Sequence, residues 1–216
     1  MKIFLDTSDV DIIRKNCETG LIDGVTTNPT LMMQAGKNPV KVISDISSLF
    51  ESDASISAEV VADSAEEMIT QAEQYYSIND NITIKVPCNY EGLKACRVLS
   101  SKDINVNVTL IFSLNQSILA AKSGATYISP FIGRCEDNDI DGIDLISSIR
   151  KVFNLNNIST NILAASIRNI NHINESFKAG ADIVTIPPKV FEEMYHHDLT
   201  DQGLAQFDKD WKKLNS

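Results

Sequence analysis

The feature that most constrains the fold of this chain is a regular alternation between short β-branched runs and longer amphipathic stretches. The runs have the length of strands, and between them apolar residues recur at helical spacing, as Val40, Ile43 and Ile46 do. Alternating strand and helix signals are typical of α/β folds built on a parallel sheet. The predicted strands are residues 2–6, 24–28, 55–61, 82–86, 105–110, 126–131, 161–166 and 182–186.

Eight strands, each followed by a helix, predict a closed (β/α)8 barrel, the TIM barrel, in a single domain over residues 1–216. An open doubly wound sheet is the alternative, because it has the same alternation and differs from the barrel only in closure. Ser64, Asp139 and Asn169 are predicted helix N-caps. Gly124 and Gly180 stand where helices are expected to end and lead into the next strand.

The C-terminal segment predicts one additional amphipathic helix. Its apolar residues follow one another at spacings of three, four and three positions: Leu204, Phe207, Trp211 and Leu214. A stripe of this kind has to be buried, either on the barrel of the same chain or on a neighbouring subunit.

The charge of the chain excludes some classes of partner. A net charge of −10 makes a nucleic acid or an anionic membrane surface an unfavourable partner, although a few basic residues in one cleft can still bind a phosphate group. Asp6 interrupts the N-terminal apolar run where a signal peptide would continue, and no apolar stretch approaches the ~20 residues of a membrane span. We therefore expect a cytoplasmic protein.

Cysteine and histidine usage favours neither disulfides nor metal binding. The four cysteines are scattered without a CxxC pair, which predicts free thiols in a reducing compartment. No cluster of His, Cys and carboxylate residues has the spacing of metal ligands, so no metal site is expected. His172, His196 and His197 lie in predicted helical or surface segments, and we interpret them as structural or surface residues.

Polar residues stand at or just beyond the ends of seven predicted strands. They are Asp6, Thr26, Asn28, Glu59, Lys85, Asn107, Thr109, Ser129, Ser166 and Arg168. The catalytic residues of a TIM barrel come from these strand ends, and side chains two positions apart in a strand share a face. One interpretation is a site that converges on the barrel mouth. The other is that strands end in polar residues simply because they emerge into water.

Lys85 is the most informative of these residues, because it stands between Ile84 and Val86 in an apolar strand. Such a lysine either points outward with its amine at the surface or points inward as a functional amine. The sequence alone favours a nucleophile and a salt-bridged structural lysine equally. Burial favours the uncharged amine, whose lone pair can attack a carbonyl carbon. Asp6 and Glu59 could supply the proton transfers that this chemistry needs, or they could be ordinary ion-pairing acids.

Several motifs, in the same order along the chain, resemble those of the transaldolase family in the short form related to fructose-6-phosphate aldolase. They are FLDT (residues 4–7), GVTTNPT (24–30), IKVP (84–87), NVTLIFS (107–113), SPFIGR (129–134) and AASIR (164–168). The resemblance extends over essentially the whole chain. It implies a (β/α)8 barrel, sugar-phosphate substrates and no cofactor.

The resemblance also implies catalytic roles. Lys85 would form a Schiff base with the C2 carbonyl of a ketose phosphate such as fructose 6-phosphate or sedoheptulose 7-phosphate. Asp6 would exchange the proton during C3–C4 bond cleavage. Glu59 and Thr109 would hold the water used in carbinolamine protonation and dehydration.

Substrate binding is implied for a further set. Asn28 and Asn107 would bind hydroxyl groups of the retained dihydroxyacetone unit, with Ser129 and Ser166 near the same fragment, and Thr26 would line the pocket.

Two arginines and one aromatic residue complete the implied site. Arg134 and Arg168 would bind the substrate phosphate, to which guanidinium groups offer permanently charged, forked donors. By strand alternation the Phe131 ring should face the same pocket as Ser129.

Two positions separate the nearest relatives. Fructose-6-phosphate aldolases tend to have Gln at the position of Glu59 and Tyr at that of Phe131, and this chain has the transaldolase residue at both. Transfer between sugar phosphates is therefore favoured over release of free dihydroxyacetone. A catalytically silent sugar-phosphate binding barrel and a Schiff-base aldolase of another pathway are the alternatives. Short relatives look like ring-forming homo-oligomers, often decamers.

Overall fold

The computed structural model describes residues 1–215, and its strands close into a parallel barrel in the order β1 to β8. β1 pairs with β2 on one side and with β8 on the other, where Lys2 lies opposite Ile183. The predicted (β/α)8 barrel is thus confirmed, and the open doubly wound sheet is wrong. The strands are β1 Lys2–Asp6, β2 Gly24–Thr26, β3 Ser55–Glu59, β4 Ile82–Pro87, β5 Val106–Ile111, β6 Tyr127–Pro130, β7 Asn161–Ala164 and β8 Ile183–Ile186.

Helices surround the barrel, and three strands are followed by two helices instead of one. These strands are β2, β6 and β8. Within residues 1–215 the helices are α1 Val10–Cys17, α2 Pro29–Ala35, α3 Pro39–Ser47, α4 Ala65–Tyr76, α5 Tyr90–Ser100, α6 Leu114–Lys122, α7 Ile132–Glu136, α8 Gly142–Leu155, α9 Ile170–Lys178, α10 Pro188–Glu193 and α11 Asp198–Leu214.

Most of the predicted helix boundaries are confirmed. Ser64 caps α4 by accepting a hydrogen bond from the backbone N–H of Glu67, and Asn169 caps α9 in the same way. Gly124 and Gly180 follow α6 and α9 with φ values of +93° and +102°, the left-handed region that a side chain disfavours.

Asp139 was the wrong choice of N-cap. Its backbone is left-handed, with φ of +56°, and it lies in the turn that ends α7, where the N–H of Ile140 donates to the carbonyl of Cys135. An N-cap needs an extended backbone, which the chain reaches only at Asp141. The Asp141 carboxylate accepts hydrogen bonds from Ile143 and Asp144 and begins α8.

Four strands (β2, β3, β6 and β7) end earlier than predicted, whereas β4 and β5 each extend one residue further. The last predicted residues of β2 and β7 make a cap and a turn instead. Asn28, beyond the end of β2, has an extended backbone but is the N-cap of α2. Its Oδ1 accepts a hydrogen bond from the N–H of Leu31 at 3.0 Å. Ser166, beyond β7, has a left-handed φ of +59°. Phe131, beyond β6, pairs with Ala165 as a single bridge.

Two apolar clusters hold the barrel and leave its mouth polar. The larger cluster lies between the outer face of the strands and the helices, and it includes Ile84 and Val86. The smaller cluster lies inside the barrel and is made of Phe4, Leu163, Ala165 and Ile183 with Tyr127 and Phe131. Because strand side chains alternate, residues flanked by the outer cluster point into the barrel.

The predicted C-terminal helix is present as α11, but its stripe is not buried on this chain. Leu204, Phe207, Trp211 and Leu214 are 60–80% exposed, and no residue of Asp198–Leu214 is buried. The stripe was predicted to be buried either on the barrel of its own chain or on a neighbouring subunit, and the first alternative is therefore wrong. Among residues 1–215, no helix combines the length and apolarity that crossing a bilayer requires.

Candidate active site

Two adjoining cavities open at the C-terminal ends of the strands. The inner one, of about 140 Å³, is lined by Asp6, Thr26, Asn28, Lys85, Ser129, Phe131, Arg134, Ala165, Ser166 and Thr185. The outer one, of about 370 Å³, is lined by Asn28, Pro29, Thr30, Leu31, Glu59, Lys85, Thr109, Leu110, Phe131 and Arg134. Ten of the twelve predicted site residues therefore line one polar mouth, and Asn107 and Arg168 lie outside these two linings.

Lys85 points into the barrel from β4 and is 5% exposed. Its Nζ lies 2.9 Å from Oε2 of Glu59, which stands opposite it in the β3–β4 register. The same Nζ donates to the backbone carbonyl of Thr27 at 3.1 Å. The amine is thus held by two acceptors, one of which is a carboxylate that can exchange a proton with it.

Asp6 ends β1 and lines the inner cavity together with Lys85. Burial raises the pKa of Asp6, the Lys85 charge and the Thr26 hydrogen bond oppose that rise, and the Glu59 charge adds to it. Oγ1 of Thr26 donates to Oδ1 of Asp6 at 2.9 Å. A carboxyl group with a raised pKa is suited to gain and lose a proton during turnover.

Asn107 lies beside Lys85 in the β4–β5 register. It contacts Ser129, which lines the inner cavity. Oγ of Ser129 donates to Oδ1 of Asn107 at 2.8 Å. Nδ2 of Asn107 and Oγ1 of Thr109 are buried without a hydrogen-bond partner in the structure. Buried polar atoms nearly always have partners, so these two mark a place for water or a polar ligand.

The aromatic and basic side of the mouth is formed by Phe131 and Arg134. The Phe131 ring packs edge-to-face on Phe112, with a centroid distance of 5.9 Å. The guanidinium carbon of Arg134 lies 5.1 Å from the centroid of the Phe131 ring. This cation–π contact holds the positive charge at the rim of both cavities.

Arg168 is oriented toward Asp137 at the end of α7, with two hydrogen bonds between guanidinium and carboxylate. These contacts lower the pKa of Asp137. Arg168 crosses directly over Gly133, where an added Cβ would lie 2.7 Å from its Nε. The backbone N–H of Arg168 is directed at Nδ1 of His172, whose Nε2 is 2.9 Å from Glu136. His172 is thus a structural link between α9 and α7.

Thr185 is not among the predicted site residues, yet it lines the inner cavity from β8. Its Oγ1 lies 2.6 Å from that of Thr26. A signal was available: the even-numbered strands contribute Thr26, Lys85 and Ser129, and alternate strands of a TIM barrel share a layer. The corresponding polar residue of β8 is Thr185.

The cysteines do not compete with Lys85 as nucleophiles. The four are free thiols within residues 1–215. Burial raises the pKa of each, and it raises that of Cys88, with a smaller effect of Cys96, to about 11. A thiol with a raised pKa contains little of the reactive thiolate at neutral pH.

A parallel (β/α)8 barrel with a polar cavity at the C-terminal ends of its strands has the architecture of an enzyme. Residues 3–216 match the family described as transaldolase/fructose-6-phosphate aldolase, and the chain belongs to that family.

Its relatives include a probable transaldolase of Paracoccus denitrificans (strain Pd 1222), which is 50% identical over 213 residues, or 99% of this chain and 97% of the relative. A probable transaldolase of Chelativorans sp. (strain BNC1) has the same identity and coverage. One from Symbiobacterium thermophilum is 48% identical over 212 residues, or 98% of this chain and 97% of the relative.

Proposed function

We propose that this protein is a transaldolase, which transfers a three-carbon dihydroxyacetone unit from a ketose phosphate to an aldose phosphate through a Schiff base on Lys85. The observation that carries the proposal is the buried amine of Lys85, 2.9 Å from Glu59 and in one cavity with Asp6. Such a site offers a nucleophile, a proton acceptor beside it and a second acid–base group in the same cavity.

The first half of the reaction forms the imine. Glu59 takes a proton from Nζ of Lys85, and the free amine attacks the C2 carbonyl of fructose 6-phosphate or sedoheptulose 7-phosphate. The resulting carbinolamine loses its hydroxyl as water, with protons delivered through a water molecule between Glu59 and Thr109. The unpartnered Oγ1 of Thr109 supports such a water.

The second half moves the three-carbon unit. Asp6 accepts the proton of the C4 hydroxyl, the C3–C4 bond breaks, and its electron pair moves into the iminium group to give an enamine. The aldose phosphate leaves as an aldehyde. When a second aldose phosphate enters, the enamine carbon attacks its aldehyde, and the proton returns from Asp6 to the new hydroxyl. The imine then hydrolyses and restores Lys85.

The retained three-carbon unit and the phosphate bind to different groups of residues at the mouth. The side-chain amides of Asn28 and Asn107, with Ser129 and Ser166, bind hydroxyls of the retained unit. The free Nδ2 of Asn107 supports this, since it is a buried donor without an acceptor. Thr26 lines the inner cavity.

The phosphate group of the substrate binds near Arg134 and Arg168. Arg134 already lines both cavities, whereas Arg168 has to leave Asp137 to reach a ligand there. The reaction belongs to the pentose phosphate pathway in the cytoplasm, and the protein is a homo-oligomer of ring form whose subunits are single domains.

A fructose-6-phosphate aldolase that releases free dihydroxyacetone is the second candidate. Glu59 and Phe131 favour transfer, because the resemblance assigns Gln and Tyr to aldolases at these positions. Both activities use the same imine, so the fate of the enamine separates them. A silent sugar-phosphate binding barrel, the third candidate, would form no imine.

The test combines trapping with an assay. Borohydride reduction in the presence of fructose 6-phosphate should leave a stable adduct on the peptide that contains Lys85, and Lys85→Ala should abolish both adduct and turnover. Lys94→Ala, which removes an exposed lysine of α5, is the matched control and should retain both.

The assay should detect transfer from fructose 6-phosphate to erythrose 4-phosphate in excess over release of dihydroxyacetone. An adduct on another lysine, or full activity of Lys85→Ala, would contradict the mechanism. Dominant release would assign the chain to the aldolases.

A further inference from the structure

Two threonine hydroxyls form a short hydrogen-bonded chain that ends on Asp6. Oγ1 of Thr26, on β2, donates to Oδ1 of Asp6 at 2.9 Å. Oγ1 of Thr185, on β8, lies 2.6 Å from Oγ1 of Thr26. β2 and β8 flank β1, so the two hydroxyls meet across the inner face of the strand that carries Asp6. Both threonines are 2% exposed and line the inner cavity.

The number of protons on the two hydroxyl groups decides which of them donates in each hydrogen bond. A hydroxyl group has one proton to donate, and that of Thr26 is given to Asp6 whenever this carboxyl group is ionised. The contact between the threonines then requires Thr185 as the donor. Thr185 therefore donates to Thr26, and Thr26 donates to Asp6.

We propose that Thr185 is a positioning residue for Asp6, which acts through Thr26 and has no bond of its own to the carboxylate. Its donated hydrogen bond fixes the rotation of the Thr26 hydroxyl and polarises the Thr26 O–H toward Asp6. The ionised form of Asp6 is stabilised, and its Oδ1 is held in place for the proton of the substrate hydroxyl. This inference rests on the proposed role of Asp6 in C3–C4 cleavage.

The electrostatic surroundings of Asp6 leave room for such a contribution. The charged groups that share its mouth are Lys85 of β4, Glu59 of β3 and Arg134 of α7. On the neighbouring strands β2 and β8, Thr26 and Thr185 contribute uncharged hydroxyl groups. Removing one of them changes no formal charge, so an altered proton affinity of Asp6 would report the hydrogen-bond chain itself.

The experiment replaces Thr185 by Val, which has nearly the same shape but no hydroxyl, and by Ser, which keeps the hydroxyl. Thr185→Val should form the borohydride-trapped Lys85 adduct at the rate of the unmodified protein, because imine formation does not use Asp6. Its kcat for transfer should fall about tenfold with little change in KM, the size expected for one hydrogen bond. The acidic limb of its pH–kcat profile should move to higher pH, since ionised Asp6 has lost support.

Thr185→Ser should recover most of the lost rate and return the acidic limb toward its original position. In an Asp6→Asn background, Thr185→Val should have no further effect on the cleavage rate, because the two residues act through one chain. Thr185→Ala serves as a second hydroxyl-free variant if the Val side chain disturbs folding, which circular dichroism will show.

Four results would overturn the inference. They are an unchanged acidic limb in the hydroxyl-free variants, an equal loss in Thr185→Ser and Thr185→Val, additive losses in the Asp6→Asn background, and a loss of adduct formation in Thr185→Val. Each would make Thr185 a packing residue of the barrel interior. Failure of the unmodified protein to form any Lys85 adduct is a separate outcome, which removes the proposed function and this inference together.

Discussion

At the residue scale, Asp6, the proposed acid–base group at the reacting bond, carries an energetic cost. Burial, the main cause, raises its pKa above the ordinary value of 3.8. A carboxyl group whose folded-state pKa is raised stabilises the fold below its unfolded pKa, and this contribution is lost as the pH rises through the folded pKa. At neutral pH the ionised Asp6 therefore lowers the free energy of unfolding.

Asp6→Asn should for this reason be more stable than the unmodified protein at neutral pH, and it should retain only a small residual cleavage rate. Asn still accepts a hydrogen bond from Thr26 but does not ionise. The gain is about 1.4 kcal/mol for each unit by which the pKa of Asp6 in the folded protein exceeds its ordinary value. Urea unfolding measures it, and the advantage should shrink as the pH approaches 3.8. A pH-independent gain would indicate better packing and no relief of a buried charge.

Phe131 offers a test of what separates transfer from release. Its ring lines the same cavity as Glu59 and Thr109 and gives a water molecule there no hydrogen bond. Both routes end in hydrolysis of an imine, but release of dihydroxyacetone first needs a proton on the enamine carbon, which that water can deliver. In transfer the acceptor aldehyde captures the enamine instead.

Phe131→Tyr should therefore raise the ratio of dihydroxyacetone release to transfer. We expect a change of about tenfold, equal to about 1.4 kcal/mol in relative barrier height, and a further rise on adding Glu59→Gln. The two products are assayed side by side in one reaction. Phe112→Tyr, which alters the ring that packs on Phe131, is the control. An unmoved ratio would leave Phe131 with a packing role alone.

The residues of the site were predictable to different degrees. Lys85 was visible because a charge in an apolar strand is rare, yet the sequence could not decide between nucleophile and structural lysine, and the structure shows that it is both buried and ion-paired. Thr185 was missed because a threonine in a β-branched strand carries no signal of its own, and only the layer it shares with Thr26, Lys85 and Ser129 points to it. Its 2.6 Å contact with Thr26 then shows what it does there.

At the element scale, the short helix α7 organises the basic side of the mouth. It carries Arg134 toward the cavities and leads to Asp137, which binds Arg168. Gly133 within α7 permits the close crossing of Arg168. One helical turn thus controls the positions of both arginines.

Replacing Arg134 or Arg168 by Ala should cost about 2–4 kcal/mol of transition-state binding, measured as kcat/KM with a phosphorylated acceptor. The loss should shrink with free glyceraldehyde as acceptor, because no phosphate is then bound. Arg97→Ala, which removes an exposed arginine of α5, should leave both values unchanged. Equal losses on both acceptors would make the arginines structural.

The elements themselves were predictable where periodicity is long enough to be read. All eight strands and the helix α11 were found, since each has a run of at least several patterned residues. α7 was not, because five residues are too few to show helical spacing. Some strand ends were also mispredicted. Whether Asn28 continues β2 or caps a helix depends on α2, which follows it.

At the scale of the whole molecule, the exposed stripe of α11 remains to be covered. Four large apolar side chains exposed on one helix are unusual for a monomeric surface. We expect them to pack against another subunit. Deleting the residues after Thr200 should then lower the mass measured by light scattering, whereas Leu21→Ser, a change at another exposed apolar residue, should not. An unchanged mass would contradict subunit packing through α11.

The closed topology could be predicted from strand number and order, but alternation alone left the open sheet as an alternative. Closure depends on strand tilt and register, which only the pairing of Lys2 with Ile183 reveals. The family resemblance resolved this point in advance.

That pairing also has a consequence for biosynthesis. β1 emerges from the ribosome long before β8, and at usual translation speeds it waits roughly ten seconds or more for its second neighbour. Until then the growing sheet has two open edges, which expose backbone groups able to pair with other chains. The apolar Ile3-Phe4-Leu5 segment lies at one of them. Chaperone demand during synthesis should therefore end at the moment when residues 183–186 become available to close the seam.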